Sequence, residues 1–210
     1  MNTERYHHGD LRNALLACAL RRIEAEGTTA FSLRAAAAEI GVSPAAAYRH
    51  FDSKDALLAE LAADGFEALS AEMRAAVDSA LAGAGTAQVR AGDALEASGL
   101  SYLSFAARNP TRFRLMFGAR NERYRSMALE LRASRGGDSS HEILREAIDA
   151  LASQAPGHVR DVEAASRIAW SAVHGLAMLA LDGYVEIAQP AYDVLCRQLV
   201  TTLRKGLTAT

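Results

Sequence analysis

The sequence predicts an all-α protein, and three observations carry that prediction. Apolar residues recur at three-and-four spacing along nearly the whole chain, never in the sustained alternation that a half-buried strand needs. Alanine, the best helix former, fills 45 of the 210 positions, against only 4 prolines. Half of the residues are apolar, a supply that supports a sizeable core and rules out disorder throughout. About nine helices are expected. They divide into an N-terminal helix-turn-helix three-helix module, residues 1–53, and a helical body, residues 54–210.

Each element has its own signals. Leu11, Leu15, Ala19 and Ile23 form one helical stripe, and Gly27 closes that helix as a C-terminal cap. A short helix follows Ser32 and ends at Gly41. The next begins at Ser43-Pro44, where a serine oxygen accepts a first-turn N–H and proline fits the first helical position. It runs to about His50. Ser53 then caps a long helix with Leu58, Leu61, Gly65, Leu69, Met73 and Val77 on one face. At about 1.5 Å per residue that helix is roughly 40 Å long, enough to connect two bodies. Gly83 to Gly92 reads as a small-residue break. Helical patterning resumes through Tyr102 to Arg108, and Asn109-Pro110 turns the chain ahead of the aromatic segment Phe113 to Phe117. Ser134 to Ser140 is the most loop-like stretch. A helix around Ile143 to Leu151 ends at Pro156-Gly157. The last two helices, Val162 to about Leu181 and Tyr192 to about Leu207, are separated by Asp182-Gly183 and Pro190.

Composition narrows the function. With 23 basic and 25 acidic residues the formal net charge is -2, so any nucleic-acid binding must come from locally placed cations. Cys18 and Cys196 are the only cysteines, which excludes a disulfide framework and a Cys-rich zinc site. Both lie on apolar helical faces and read as small core residues. The polar start MNTERYHHGD is no secretory signal. The stretch Ile168 to Leu181 falls short of the roughly 20 residues that cross a bilayer. A cytoplasmic protein without a membrane partner is expected. No GxSxG, HExxH, P-loop or GxGxxG occurs, so neither an enzyme nor a cofactor is expected. His7-His8 is adjacent rather than spaced i, i+4, and His50, His141, His158 and His174 lack acidic or Cys partners at ligand spacing; no metal is expected.

The informative stretch is SLRAAAAEIGVSPAAAYRHFDSKDALLAEL, residues 32–61. It reads as two short helices joined by a tight turn at Gly41. Leu33, Ala37 and Ile40 face inward from the first, while Val42, Ala47 and Phe51 close the corner around the second. A recognition helix lies in the major groove, so its outer face carries small or polar side chains. Here that face, beginning at Ser43, is Pro44, Ala45, Ala46, Tyr48 and Arg49. Alanine methyls pack on thymine methyls, and Arg34 can reach guanine O6 and N7. Ser32, Tyr48, His50 and Lys54 are the phosphate candidates, with backbone N–H groups after Ser53 adding to them.

The combination around this corner resembles the tetracycline-repressor (TetR) family of transcriptional regulators. Its carriers are Gly27, Ile40, Gly41-Val42-Ser43, Tyr48, His50-Phe51, Ser53-Lys54-Asp55 and Leu57-Leu58, and the match spans about residues 10–62. The resemblance implies that Pro44 to His50 is the recognition helix, that Arg34 holds the base-reading position, and that Tyr48, His50 and Lys54 hold backbone-contact positions. One departure stands out: where the family usually carries threonine or another polar side chain, this chain has Ala45, Ala46 and Ala47. Readout then rests on Arg34, Arg49 and the N-terminal arm, together with shape and methyl contacts. That arm, Glu4 to Arg12, resembles the leader of a subgroup, and Arg5 could enter a minor groove.

Beyond residue 63 the signals are weaker. The helix containing RIAWSAVHGLAMLALD is apolar on nearly every face and needs cover on two sides. A second copy of the chain is the economical source of one. Ala165, Ala169, Ala172, Leu176 and Ala180 form the expected dimer stripe, with Tyr192, Leu195, Cys196, Leu199, Val200 and Leu203 on the companion helix; two helices from each copy would make a four-helix bundle. Phe66, Tyr102, Phe105, Phe113, Met116, Phe117, Tyr124, Met127, Trp170, His174 and Met178 are the candidates for a pocket taking a small, largely apolar effector. Tyr102 and His174 are its polar candidates. The Trp170…His174-Gly175 pattern also resembles one C-terminal domain class of the family. The expected function is a ligand-responsive repressor that binds a palindromic operator as a homodimer. The alternative is a helical small-molecule binding protein whose helix-turn-helix is only structural.

Overall fold

A computed structural model of the chain describes residues 8–118, 122–154, 159–187 and 190–208. Among the described residues there are ten helices and no strand: α1 (His8–Ala30), α2 (Leu33–Glu39), α3 (Pro44–Tyr48), α4 (Lys54–Leu81), α5 (Ala87–Arg108), α6 (Pro110–Phe117), α7 (Glu122–Arg135), α8 (Ser140–Gln154), α9 (Val162–Leu181) and α10 (Ala191–Thr208). They group into two compact units. The first comprises Met1–Gly65 and Thr111–Arg135, the second Phe66–Pro110 and Gly136–Thr210. Helix α4 contributes residues to both.

In the first unit α1 does not simply stop at Gly27. The glycine takes φ 80°, ψ 165°, a conformation open to glycine at little cost, and one more turn follows before Phe31. Leu15, Cys18, Ala19 and Ile23 of α1 are buried with Leu33, Ala36 and Ala37 of α2, Ala47 of α3, and Leu57, Leu58 and Leu61 of α4. Gly65 brings α4 close to α6: a Cβ there would lie 2.7 Å from Met116 Sδ. Helix α7 is an element that the sequence pattern leaves unassigned. It is rich in charge, and only Tyr124 and Ala128, flanked by Met127 and Leu131, join the core. Arg135 at its end pairs with Glu60 and, at 2.8 Å, with Asp64; Arg12 also pairs with Glu60.

In the second unit α5 is the central helix, packed against α8, α9 and α10. It starts at Ala87, capped by Thr86, so the expected break between Gly83 and Gly92 is shorter than the small residues suggest. Gly92 lies inside the helix, where the Arg204 side chain covers it. At Gly99 a Cβ would meet Val200 Cγ1 at 2.6 Å, which lets α10 approach closely. Ala91 and Leu95 pack with Leu144, Ile148 and Leu151 of α8 and with Ala165 and Ala169 of α9. Helix α9 is long and apolar enough, by length and composition, to span a membrane, and close to half of it is buried inside the chain.

Candidate nucleic-acid interface and interior cavity

The corner between α2 and α3 is set by hydrogen bonds that the sequence encodes. Gly41 adopts φ 76°; its N–H donates to Ala38 O at 3.1 Å, and the Val42 N–H donates to Ala37 O at 2.9 Å. This pair of bonds is a Schellman closure, and it needs a left-handed residue at Gly41. Ser43 Oγ then accepts the Ala46 N–H at 3.2 Å, with Pro44 in the first helical position. Ser53 Oγ likewise accepts the Ala56 N–H at 3.0 Å and starts α4. Gly41 and Ser43 thus fix the end of α2 and the start of α3, helices individually too short to persist, while Ser53 fixes the start of the long α4.

Only one side of α3 is spent on this packing. Ala47 is fully buried, whereas Pro44, Ala45, Tyr48 and Arg49 are exposed and Ala46 and His50 are half-buried. Arg34, on the first turn of α2, is exposed too. Neither Arg34 nor Arg49 forms an ion pair or hydrogen bond with another described residue. Ser32 precedes α2 without donating or accepting a side-chain cap bond. Lys54 is differently placed: its ammonium donates to Thr29 O at 3.1 Å and lies 5.9 Å from the centre of the Phe31 ring. An ammonium has three N–H donors, so two stay available to phosphate. Helix α2 is braced from α1, since Glu39 accepts from Arg22 at 3.1 Å and from Arg21 at 3.4 Å. That pairing holds the Glu39 carboxyl below its usual range, while burial pushes the neighbouring Cys18 thiol up. The arm residues Glu4 to His7, with Arg5, lie outside the described residues.

The second unit encloses a cavity lined by Met73 of α4, Leu95, Ser98, Gly99 and Tyr102 of α5, Ser140 and Leu144 of α8, Ala169, Trp170 and Val173 of α9, and Val200 and Leu203 of α10. At one end the Tyr102 hydroxyl lies 2.8 Å from His174 Nδ1 and accepts the Trp170 indole N–H at 3.3 Å. Burial pushes the Tyr102 phenol far up and the His174 imidazole down. Both shifts favour neutral groups, and Tyr102 and His174 share one hydrogen bond whose donor is set by the imidazole tautomer. His141 stands edge-on to Trp170 at 6.4 Å.

The sequence-derived pocket candidates are therefore not brought together as one set. Tyr102 and Trp170 line this cavity and His174 adjoins it, but Phe113, Met116, Tyr124 and Met127 belong to the first unit. Leu95, Ser98, Leu144 and Val200 line it without any sequence signal that separates them from ordinary core residues. The dimer candidates also divide. Ala165, Ala169, Ala180 and Tyr192 are buried inside the single chain, and Leu203 lines the cavity. The exposed apolar stripe of α9 is instead Ile168 (62%) and Leu179 (48%), with Ala172 and Leu176 half-buried between them; on α10 it is Val194 and Leu195, with Leu199 half-buried.

Comparison with known proteins decides the family. The description "Bacterial regulatory proteins, tetR family" matches residues 15–61, and "Tetracyclin repressor-like, C-terminal domain" matches residues 95–203. The chain belongs to the tetR family. It is accordingly a DNA-binding transcriptional regulator, and residues 15–61 contain the corner described above. The tetR fold extends over more than nine-tenths of its length. A protein of unknown function from Rhodococcus sp. RHA1 is 30% identical, with 98% of this chain and 99% of that one covered at a TM-score of 0.74. A tetR-family regulatory protein from Rhodococcus RHA1 is 19% identical, with coverage of 95% and 97% and a TM-score of 0.68. The TetR-family regulator PfmR from Thermus thermophilus is 20% identical, with coverage of 92% and 98% and a TM-score of 0.63. Among curated proteins, none matches the sequence.

Proposed function

We propose that this tetR-family chain is a ligand-responsive repressor, acting in the cytoplasm as a homodimer on a palindromic operator. The observation that carries the proposal is the division of α3: Ala47 holds the helix in the core while the surface of Pro44, Ala45, Tyr48 and Arg49 stays uncovered. That methyl-lined face, with an exposed Arg34 on α2 that pairs with no described residue, suits a helix laid in the major groove. Arg34 and Arg49 read bases, and Ala45 and Ala46 meet thymine methyls. Ser32, Ser43, Tyr48, His50 and Lys54 hold the backbone.

A dimer seam through Ile168, Ala172, Leu176 and Leu179 of α9 with Val194, Leu195 and Leu199 of α10 is supported by the exposed apolar stripe on those two helices. Two helices from each copy would then bury it as a four-helix bundle. Dimer half-sites are read about 34–36 Å apart, or a multiple of that. The effector's seat is the α5–α9 cavity. Met73 in its lining lies on α4, whose first turn carries Lys54, so a ligand that displaces Met73 acts on the helix that starts beneath the recognition helix. For regulation the ligand must bind the operator-incompetent form better, by a coupling of about 1–3 kcal/mol.

The test is a gel shift with DNA from upstream of the chain's own gene. Binding should weaken steeply as salt rises. Arg34→Ala should relax preference at particular base pairs, while Lys54→Ala should weaken binding evenly across sequences. Absence of any shift would favour the alternative, a small-molecule binding protein with a structural helix-turn-helix.

A further inference from the structure

The cavity of the second unit says which chemical class of ligand it takes. Its lining contains no Asp, Glu, Lys or Arg. Of the arginines next to lining residues in sequence, Arg74 donates to Asp138 and Glu146 at 2.7 Å each, Arg204 Nε pairs with Glu96 at 2.7 Å, and Arg145, after Leu144, is exposed and outside the lining. Ser98 is turned back on its own helix, donating to Leu95 O at 2.8 Å. Hydrogen-bonding capacity is concentrated at one end, where the Trp170 N–H makes only a long 3.3 Å bond to Tyr102. An oxygen atom of a ligand can take that N–H at a better distance. A carboxylate or an ammonium entering the same space would shed its water with no counter-charge to meet it, at a cost that an uncharged molecule avoids.

The space is narrow in this form, a cavity of about 20 Å³ that is partly open to solvent, room for roughly one water. One wall is the start of α8, which supplies Ser140 and Leu144. That helix starts as a reciprocal cap, with the Glu142 N–H on Ser139 Oγ at 3.0 Å and the Ser139 N–H on Glu142 Oε2 at 2.6 Å. Just before it, Gly136 and Gly137 both take positive φ, a conformation open to glycine at little cost.

We infer that this cavity selects an uncharged, mainly apolar molecule bearing an oxygen acceptor, seated with its polar end between Trp170 and Tyr102. The inference rests on reading the cavity as the effector's seat, but it can fail or survive separately from that reading.

The experiment uses three probes of one length, octanol, octanoate and octylammonium, at pH 7. Trp170 is the single tryptophan of the chain, so its fluorescence reports binding directly. Octanol should bind at least about tenfold more tightly than either ion. With the Trp170 N–H on its oxygen, octanol's own hydroxyl donates to the Tyr102 oxygen that this N–H vacates, so Tyr102→Phe should alter the Trp170 response and weaken octanol by about fivefold, the worth of one hydrogen bond. Leu203→Phe, which fills the half-buried edge of the cavity, should weaken it further and guards against misfolding of the first variant. Equal binding of the three probes, or preference for either ion, would overturn the inference, as would octanol binding that Leu203→Phe leaves unchanged. Gel shifts in the same titration separate the two readings: octanol binding with the operator still held keeps the ligand class and removes the regulatory role.

Discussion

The two units of this regulator put their working groups on opposite sides of their helices. In the first, the proposed DNA-contacting surface lies on what packing leaves over: α3 sinks one alanine, Ala47, and presents most of the rest of its short length outward. In the second, the proposed effector seat lies in what packing encloses, a narrow cavity among α5, α8, α9 and α10 with a Tyr–His–Trp cluster at one end. The difference teaches that apolar residues carry opposite roles according to the face they occupy. Ala45 and Ala47 stand two positions apart on one helix, and Ile168 and Ala169 are adjacent on another.

The strongest way to break the comparison is to put a charge on each face in turn. Ala47→Asp buries an unpaired carboxylate in the first unit's core and should cost more than about 3 kcal/mol, read by chemical denaturation. Ala45→Asp should leave that curve in place and act only on DNA, by repelling phosphate. Helix α9 offers the same pairing. Ala169→Glu, inside the chain, should destabilise the second unit by a similar amount, whereas Ile168→Glu should keep the fold and yield a monomer in sedimentation. A dimer that tolerates Ile168→Glu would move the seam elsewhere.

A smaller effect is expected within the cluster. Tyr102→Phe keeps the ring but takes a hydrogen-bond partner from both His174 and Trp170, for about 1–3 kcal/mol of stability in urea. The smallest is a pH dependence. Burial lowers the folded His174 below the ordinary value of 6.5, so the unfolded chain binds the proton more readily than the folded one. The resulting stability is intact above about pH 6.5 and is lost as pH falls from there toward the lowered folded value. His174→Gln, which keeps an acceptor but does not titrate, should flatten the stability curve over that window; an unchanged slope would place its origin in another group.

The same contrast explains what the sequence made legible. Ser43-Pro44, Ser53 and Gly41 are readable because caps and left-handed turns demand particular residue types at particular positions, and each makes the expected bond. The ends of α9 and α10 were readable for a similar reason. Helix α7 was not, because ERYRSMALELRASR carries a narrow stripe of Tyr124 and Ala128 under many charges. The division of the α9 stripe between chain interior and surface is unreadable for the opposite reason. A helix apolar all round has no period that tells which side its own chain covers, so Ala165 and Ala169 looked as suitable for a partner as Ile168 and Leu179. Lys54 is readable from the sequence as a candidate phosphate contact, whereas its bond to Thr29 O joins residues 25 positions apart and has no local sequence signal. The cavity was half legible: Tyr102, Trp170 and His174 stand out as polar tips on apolar stretches, while Leu95 and Val200 are chemically indistinguishable from any core residue.

The most direct measurement compares wild type with Ala45→Asp in an anisotropy titration of DNA from upstream of the chain's own gene, alongside a thermal melt of each. The wild type should bind in a salt-sensitive manner, and Ala45→Asp should bind at least about tenfold more weakly while melting at the same temperature. Equal affinities for the two proteins, with equal melting, would mean that the outer surface of α3 does not meet DNA.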